Sequence, residues 1–179
     1  MKKKILNPLL LLLVVAVYTS SCERDDICAE ATATTPHLII RFYDINDSDE
    51  LKQVRQLSAS GFDANGNELG LIYQNRDLDS IVLPLNFQNE NILTTSTFKL
   101  KKDSDFDEDE DDETESNIDV ITVSYIPKFE YVSRACGYRS VFTNLSITVE
   151  PDSDNWIISN EILTTTIENE TSAHVILRH

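Results

Sequence analysis

The chain has 179 residues, of which 41% are hydrophobic and 26% are charged, and its formal net charge is −16. This length allows one domain of ordinary size, and the composition is typical of a globular protein. The strong negative charge excludes nucleic acid as a partner, because its phosphates would be repelled. Ten of the 31 acidic residues lie in the run DSDFDEDEDDETE at 103–115, so most of the charge belongs to one segment.

Residues 1–21 have the pattern of a bacterial secretory signal. Three lysines at 2–4 precede the apolar stretch LLLLLVVAV at 9–17, which is too short for a membrane-spanning helix of about 20 residues. The small residues TSS then precede Cys22, and this arrangement resembles the lipobox of bacterial lipoproteins. The resemblance implies that residues 1–21 are removed and that Cys22 is acylated, for example with palmitate. Ordinary signal cleavage near Ser21 is the alternative.

The residues directly after Cys22 indicate where in the cell the protein is expected to be located. The short acidic patch ERDD at 23–26 resembles the signal that sends Bacteroidota lipoproteins to the outside of the outer membrane. We therefore expect a protein that is lipid-anchored at the outer membrane, on the cell surface or on the periplasmic face. Residues 22–36 are then expected to be the lipid-anchored linker.

Two further cysteines, Cys28 and Cys136, are left once Cys22 carries lipid. An exported protein meets oxidising conditions, so a disulfide between them is the expected state, and its loop would span 108 positions. A zinc site is disfavoured, because the three histidines show no paired ligand spacing, and no Cys-x-x-Cys redox motif is present. We expect no cofactor.

After the leader, apolar residues recur mostly at every second position, which is typical of strands with one buried face. In HLIIRFYDI at 37–45, the side chains expected to face inward are Leu38, Ile40 and Phe42. The corresponding sets are Ile121, Val123 and Tyr125 in 118–126, and Leu145, Ile147 and Val149 in 144–150. Other strand candidates are 54–60, 69–73, 80–85, 95–101, 128–133, 156–163 and 173–178.

These short strands, without a convincing long helix, predict an all-β fold over 37–179. The expected architecture is a single antiparallel β-sandwich, immunoglobulin-like in outline, and a small β-barrel is the alternative. The dipeptide Asn65-Gly66 predicts a two-residue type I′ hairpin turn. The segment DELKQVRQL at 49–57 fits either a strand or a helical turn.

The acidic run at 103–115 lies between two strand candidates, which predicts an extended, self-repelling loop. The alternate aspartates Asp103, Asp105 and Asp107 are weak calcium-ligand candidates. They fail the EF-hand pattern, because Glu108 stands where glycine is needed and Thr114 stands where a bidentate glutamate is needed. We expect weak, diffuse attraction of cations and no specific metal site.

The sequence contains no local catalytic motif. It has no G-x-S-x-G, no H-E-x-x-H and no glycine-rich loop that opens a helix. We therefore expect no catalytic residues and a protein that is not an enzyme. The tripeptide DSI at 79–81 resembles an O-glycosylation site of exported Bacteroidota proteins, with Ser80 as the acceptor. A solvent-facing strand entry is the competing interpretation and is favoured over it.

Three segments, CERDDIC, TPHLIIRFYDI and SRACGYRSVFTNL, together resemble an uncharacterised family of Bacteroidota lipoproteins, a domain of unknown function. The resemblance extends from Cys22 to about Ile162, and it implies a lipid anchor, a Cys28–Cys136 pair and an all-β domain. It implies no activity. We expect a binding or accessory module of the cell envelope, serving an outer-membrane β-barrel protein. The alternatives are a structural surface component and a glycan or peptide hydrolase.

Overall fold

The structure is a computed structural model in which residues 27–47, 49–104 and 116–179 are described. These residues form nine β-strands and no helix. The strands are β1 (Leu38–Tyr43), β2 (Val54–Phe62), β3 (Glu68–Leu78), β4 (Ser80–Leu83), β5 (Thr94–Lys102), β6 (Asn117–Ser133), β7 (Gly137–Val149), β8 (Ser159–Ile162) and β9 (Val175–Arg178). No described segment forms a helix with the length and apolarity that a membrane crossing requires.

The strands are arranged in two sheets. The four-stranded sheet has the order β4-β1-β9-β8, and the five-stranded sheet has the order β3-β2-β5-β6-β7. The predicted all-β sandwich is therefore confirmed, and the described strands do not close into the alternative barrel. One pair, β1 with β9, is parallel, with Ile40 opposite Val175. The sequence did not indicate it, because these strands lie at opposite ends of the domain and no hairpin connects them.

The core lies between the two sheets and follows from the alternation of side chains along each strand. Leu38, Ile40 and Phe42 are fully buried on β1, as predicted. The predicted inward sets on the other sheet are also found. On β6 the buried residues are Ile121, Val123 and Tyr125, and on β7 Leu145 and Ile147 are buried while Val149 is half-buried.

The turn between β2 and β3 differs from the prediction. Gly66 has a positive φ of 81°, whereas Asn65 does not, and Gly66 donates its N–H to the carbonyl of Asp63 at 3.0 Å. The predicted type I′ turn is therefore wrong, and the turn begins at Asp63. The carboxylate of Asp63 accepts hydrogen bonds from the backbone N–H groups of Asn65 and Asn67, each at 2.8 Å. These side-chain bonds favour the observed turn over the two-residue one.

Tertiary contacts correct one strand prediction, that 118–126 and 128–133 are separate, and settle the ambiguity at 49–57. The candidates at 118–126 and 128–133 form one strand, β6, that continues through Pro127, whose carbonyl accepts the N–H of Asn91 at 2.8 Å. The segment 49–57 contains no helix: β2 begins at Val54, and Leu51 forms an isolated antiparallel bridge with Tyr43.

The described chain divides into two compact units. The smaller contains 27–32 and Val132–Gly137, which are joined by a disulfide between Cys28 and Cys136. The larger contains Ala33–Tyr131 and Tyr138–His179, and the buried core belongs to it.

Candidate functional site

A polar groove lies on the outer face of the five-stranded sheet. On β2, Leu57 and Ala59 are part of the core, so the intervening Ser58 and Ser60 belong to the opposite face. Their small side chains leave a depression of about 290 Å³ between the longer side chains of β3 and β5. The groove is lined by Ser58, Ser60, Glu68, Leu71, Gln74, Asn75, Lys99, Lys101 and Ser104.

One end of the groove is closed by a hydrogen-bonded cluster of Ser58, Asn75 and Ser104. The hydroxyl oxygen of Ser58 lies 2.8 Å from that of Ser104 and accepts the backbone N–H of Asn75 at 3.0 Å. The amide oxygen of Asn75 lies 3.1 Å from the Ser58 hydroxyl. Ser104 donates its hydroxyl to the carbonyl of Gln56 at 2.6 Å. The cluster therefore joins β2, β3 and the end of β5 through side chains.

Three non-glycine residues at this end have left-handed backbone conformations. They are Gln56 with φ 45°, Asn75 with φ 47° and Asp103 with φ 51°. Each such residue costs on the order of 1 kcal/mol, so the surrounding contacts must hold it in place. Ser104 donates its N–H to the Gln56 carbonyl at 3.1 Å. The register between β2 and β3 also shifts along this stretch. These irregularities bend the strands and shape the groove.

The other end of the groove contains an ion pair. Ser60 donates its hydroxyl to Glu68 Oε1 at 2.6 Å, and Lys99 Nζ lies 3.0 Å from Glu68 Oε2. The hydrogen bond from Ser60, followed by the ammonium of Lys99, lowers the pKa of the Glu68 carboxyl. Glu68 is therefore ionised at neutral pH. With Lys99 and Lys101, the lining side chains carry a formal excess of one positive charge.

The described lining residues are suited to binding a polar ligand. Glu68 is the one carboxylate among them, and its lowered pKa makes it both a poor general acid and a weak base. Ser60, which contacts it, is only 2% exposed and already donates its hydroxyl to Glu68. The groove offers hydroxyl, amide and ammonium groups, which form hydrogen bonds to a polar ligand.

The structure places the predicted cysteines and Ser80 as follows. Cys28 and Cys136 form a disulfide with a Cα–Cα distance of 4.8 Å, in agreement with the expected pair. Cys22 and residues 1–21 lie outside the described residues. Ser80 begins β4, is half-buried and donates its hydroxyl to the carbonyl of Ile40 at 3.2 Å. O-glycosylation of Ser80 stays a prediction.

Of the three calcium candidates, Asp103 lies in the described part of the chain. Asp103 forms an ion pair with Arg55 at 2.7 Å and donates its N–H to the Arg55 carbonyl. Asp105 and Asp107 fall outside the described residues. Among the residues that the structure describes, no group of three or more His, Cys, Asp or Glu side chains could hold a metal ion.

Sequence reasoning missed the groove and one buried carboxylate. Asp119 occupies an inward-facing position of β6, two residues before Ile121, and is fully buried. It accepts the N–H groups of Trp156 and Ile157 at 3.2 and 2.8 Å. Burial raises the pKa of its carboxyl, and these two N–H groups oppose the rise. An acidic residue on the inward side of an alternating strand was the available signal.

A comparison with known families identifies the folded part of the chain. The model described as "Family of unknown function (DUF6452)" matches residues 56–179. This range extends from Gln56 on β2 to His179, and it includes Cys136 but neither Cys22 nor Cys28. No curated protein and no solved structure matches the chain. The family match thus concerns the sandwich and is silent on the predicted anchor.

Proposed function

The chain belongs to DUF6452, a family of unknown function, and we propose that it is a lipid-anchored accessory module of the bacterial outer membrane. In this proposal it binds an extended segment of an outer-membrane protein along β3. The observation that carries the proposal is the exposed edge of β3 beside the polar groove. The proposal draws on the leader and Cys22 for the location of the protein.

The β3 strand is well suited to receive another strand. It is an edge of the five-stranded sheet, eleven residues long, with β2 as its neighbour. Leu69 and Leu71 in its first half are each 54% exposed. A long edge strand with exposed apolar side chains offers backbone N–H and C=O groups to a partner chain.

One edge of the four-stranded sheet, β4, is covered by a side chain from β3. The hydroxyl of Tyr73, on β3, accepts the N–H of Val82 at 2.9 Å and lies 3.3 Å from the Val82 carbonyl. This side chain occupies the backbone groups at which a strand could pair with β4. Of these two neighbouring edges, the proposal therefore assigns the partner to β3 and not to β4.

The groove would supply selectivity beside the edge. An added strand presents alternate side chains to one face of the sheet, so every second residue of the partner would reach over the groove. Ser58, Asn75 and Lys99 provide hydroxyl, amide and ammonium groups at this surface. These groups favour polar or acidic side chains of the partner.

The disulfide supports an envelope location. Structural disulfides persist in oxidising compartments, such as the periplasm and the cell surface, and are rare in the cytosol. The Cys28–Cys136 bond is therefore consistent with export by the predicted leader. Acylation at Cys22 would retain the exported protein at the membrane, because several acyl chains anchor a protein stably.

Site-specific photocrosslinking in living cells tests the proposed partner. A photoreactive amino acid at Leu71 is expected to capture one outer-membrane protein, and the same amino acid at Ile158 is expected to capture none. Ile158 is a matched control because it is 63% exposed and lies outside β3 and the groove. Equal adducts from both positions would count against β3 as the binding edge.

A paired variant checks that backbone pairing is involved. Leu69→Lys with Leu71→Lys places charges on the edge, a change that natural proteins use to prevent strand addition. We expect capture of the partner to fall at least about tenfold, while stability changes by less than about 0.5 kcal/mol because both side chains are exposed. Undiminished capture would contradict strand addition.

A further inference from the structure

We infer that one end of the sandwich docks on the bilayer in which the lipid anchor is inserted, an inference that rests on the proposed acylation of Cys22. This end carries exposed aromatic and aliphatic side chains and is called the aromatic end. Its members are Phe87, Ile92, Leu93, Phe129, Tyr131 and Tyr138. Aromatic side chains with a polar group favour the interface between lipid and water.

The aromatic pair at this end continues the core-facing surface of β6 and β7. Tyr131 and Tyr138 are in edge-to-face contact, with ring centroids 5.4 Å apart, and are 61% and 70% exposed. Six residues before Tyr131 on β6, and four after Tyr138 on β7, Tyr125 and Phe142 form a buried pair at 5.2 Å. Even spacings place both pairs on one face. The face that forms the core is thus extended into an exposed apolar surface.

The loop between β4 and β5 lies beside this pair and enlarges the surface. Asn91 donates its N–H to the Pro127 carbonyl at 2.8 Å, and Glu90 Oε1 accepts the N–H of Phe129 at 3.0 Å. These bonds hold the loop against β6. The exposed side chains of Ile92 and Leu93 on this loop are therefore kept near Phe129.

The predicted anchor is attached at the same end. Thr35 Oγ1 accepts the N–H of Ser140 at 2.8 Å, so the chain that leads back to Cys22 enters the sandwich two residues from Tyr138. Cys22 lies six residues before Cys28, a distance of at most about 21 Å in extended chain. Cys28 is bonded to Cys136, which is also two residues from Tyr138. In the sequence, six positions therefore separate the predicted anchor from the disulfide, and two more separate Cys136 from Tyr138.

The distribution of charge favours the same orientation. β5 and β6 pair with Thr94 opposite Tyr125 and Lys102 opposite Asn117, so the acidic run at 103–115 is attached at the far end of this hairpin. Nine residues of β5 separate the two ends by about 26 Å of strand. This exceeds the Debye length of about 8 Å at physiological salt, so the attachment points of the acidic run lie beyond strong repulsion by anionic lipids.

The carboxylates near the aromatic pair already have partners. Glu130 Oε2 forms an ion pair with Arg139 at 2.7 Å, and Glu170 Oε1 accepts the backbone N–H of His37 at 2.8 Å and lies 2.7 Å from His37 Nδ1. Lys128 is exposed on the same stretch of β6. Lys128 gives this end a positive charge that favours contact with an anionic membrane surface.

Fluorescence quenching in vesicles tests the docking. The full-length protein is purified from membranes and reconstituted in phosphatidylethanolamine and phosphatidylglycerol vesicles with brominated acyl chains. A tryptophan probe is placed by Tyr138→Trp or, in a second variant, by Tyr131→Trp, and the control is Ile118→Trp near the acidic run. We expect bromine to quench the probe emission at the first two positions about twofold and at the control position by less than about a tenth.

Two measurements separate this inference from the proposed anchor. Intact mass and flotation with vesicles report whether Cys22 carries acyl chains, and quenching reports where the sandwich lies. An acylated, floating protein with equal quenching at positions 138 and 118 would overturn the docking and leave the anchor intact. A mature protein without acyl chains would overturn both. The emission of the parent protein, which contains Trp156 alone, is subtracted as background, and an unchanged unfolding midpoint verifies that each variant is folded.

Discussion

The carboxylate of Asp119 accepts the backbone N–H of Ile157 at 2.8 Å at a site with no solvent exposure. A second bond from the N–H of Trp156 is made to the other oxygen. These bonds satisfy the backbone of the segment between β7 and β8 at the point where it enters the core. A buried N–H without a partner costs about 1–3 kcal/mol.

Asp119→Ala should therefore lower the free energy of unfolding by about 3 kcal/mol, because two backbone donors lose their acceptor. Asp119→Asn should cost less, since the amide oxygen can still accept one of the bonds. Urea denaturation measures both, with Asp154→Ala as an exposed control. Equal stability of the Asp119→Ala and Asp154→Ala proteins would show that these bonds contribute little.

Removal of the disulfide should also destabilise the protein. Cys28 and Cys136 are 108 positions apart, and the loss of a crosslink that closes a loop of this size lowers stability by roughly 2–5 kcal/mol. Cys136→Ser combined with Cys28→Ser is expected to show this loss in chemical denaturation under oxidising conditions. Cys22→Ser is the control and should unfold like the parent. Identical midpoints for all three proteins would contradict the expectation.

His174 makes stability depend on pH. Its Nδ1 accepts the N–H of Ile39 at 2.9 Å and its Nε2 donates to the Asn169 carbonyl at 2.9 Å, so the ring is neutral in the folded state. Burial lowers the pKa of His174 below the usual value of 6.5. Since the unfolded chain binds the proton more readily, the stability from His174 is present above pH 6.5 and is lost as the pH falls below it.

The measurement is the free energy of unfolding between pH 7.5 and pH 5. One such group gives a slope of at most about 1.36 kcal/mol per pH unit. Glu170 acts on His174 and also contacts His37, so His37→Gln serves as the control for the neighbouring side chain. Burial also lowers the pKa of His179, whose contribution of the same sign is present in both variants. His174→Gln should flatten the slope over this range, and a slope unchanged by His174→Gln would exclude His174 as its source.

Substitutions at two residues with positive φ, Gln56 and Gly66, should change the stability of the fold in opposite directions. Gln56 has φ 45°, so Gln56→Gly should relieve strain and stabilise the fold by roughly 0.5–1 kcal/mol. Gly66 has φ 81°, so Gly66→Ala should destabilise it by about 1 kcal/mol through strain, since no neighbouring atom obstructs a Cβ there. Thermal unfolding distinguishes the two. A loss of stability in Gln56→Gly would mean that its side chain contributes more than the strain costs.

The sequence by itself determined the strands and the identity of the core. Alternation along β1 and β6 placed Leu38, Ile40, Ile121 and Val123 in the interior. The reason is that the side chains of a strand alternate between its two faces, and the apolar face is buried away from water. It also led to the expected pair of Cys28 and Cys136, because two thiols allow one connectivity once Cys22 is assigned to the predicted lipid anchor.

Only the tertiary structure decided the parallel β1–β9 pair, the turn at Asp63 and the groove. Sheet order depends on contacts between distant strands, which leave no local pattern in the chain. The groove exists because Ser58, Asn75 and Ser104 meet from β2, β3 and the end of β5. The energetic cost of the left-handed backbone at Gln56 and Asn75 is offset by surrounding hydrogen bonds, which the sequence spacing does not reveal. Strand identity is a local property, whereas the surfaces available for binding arise from the way in which the strands assemble.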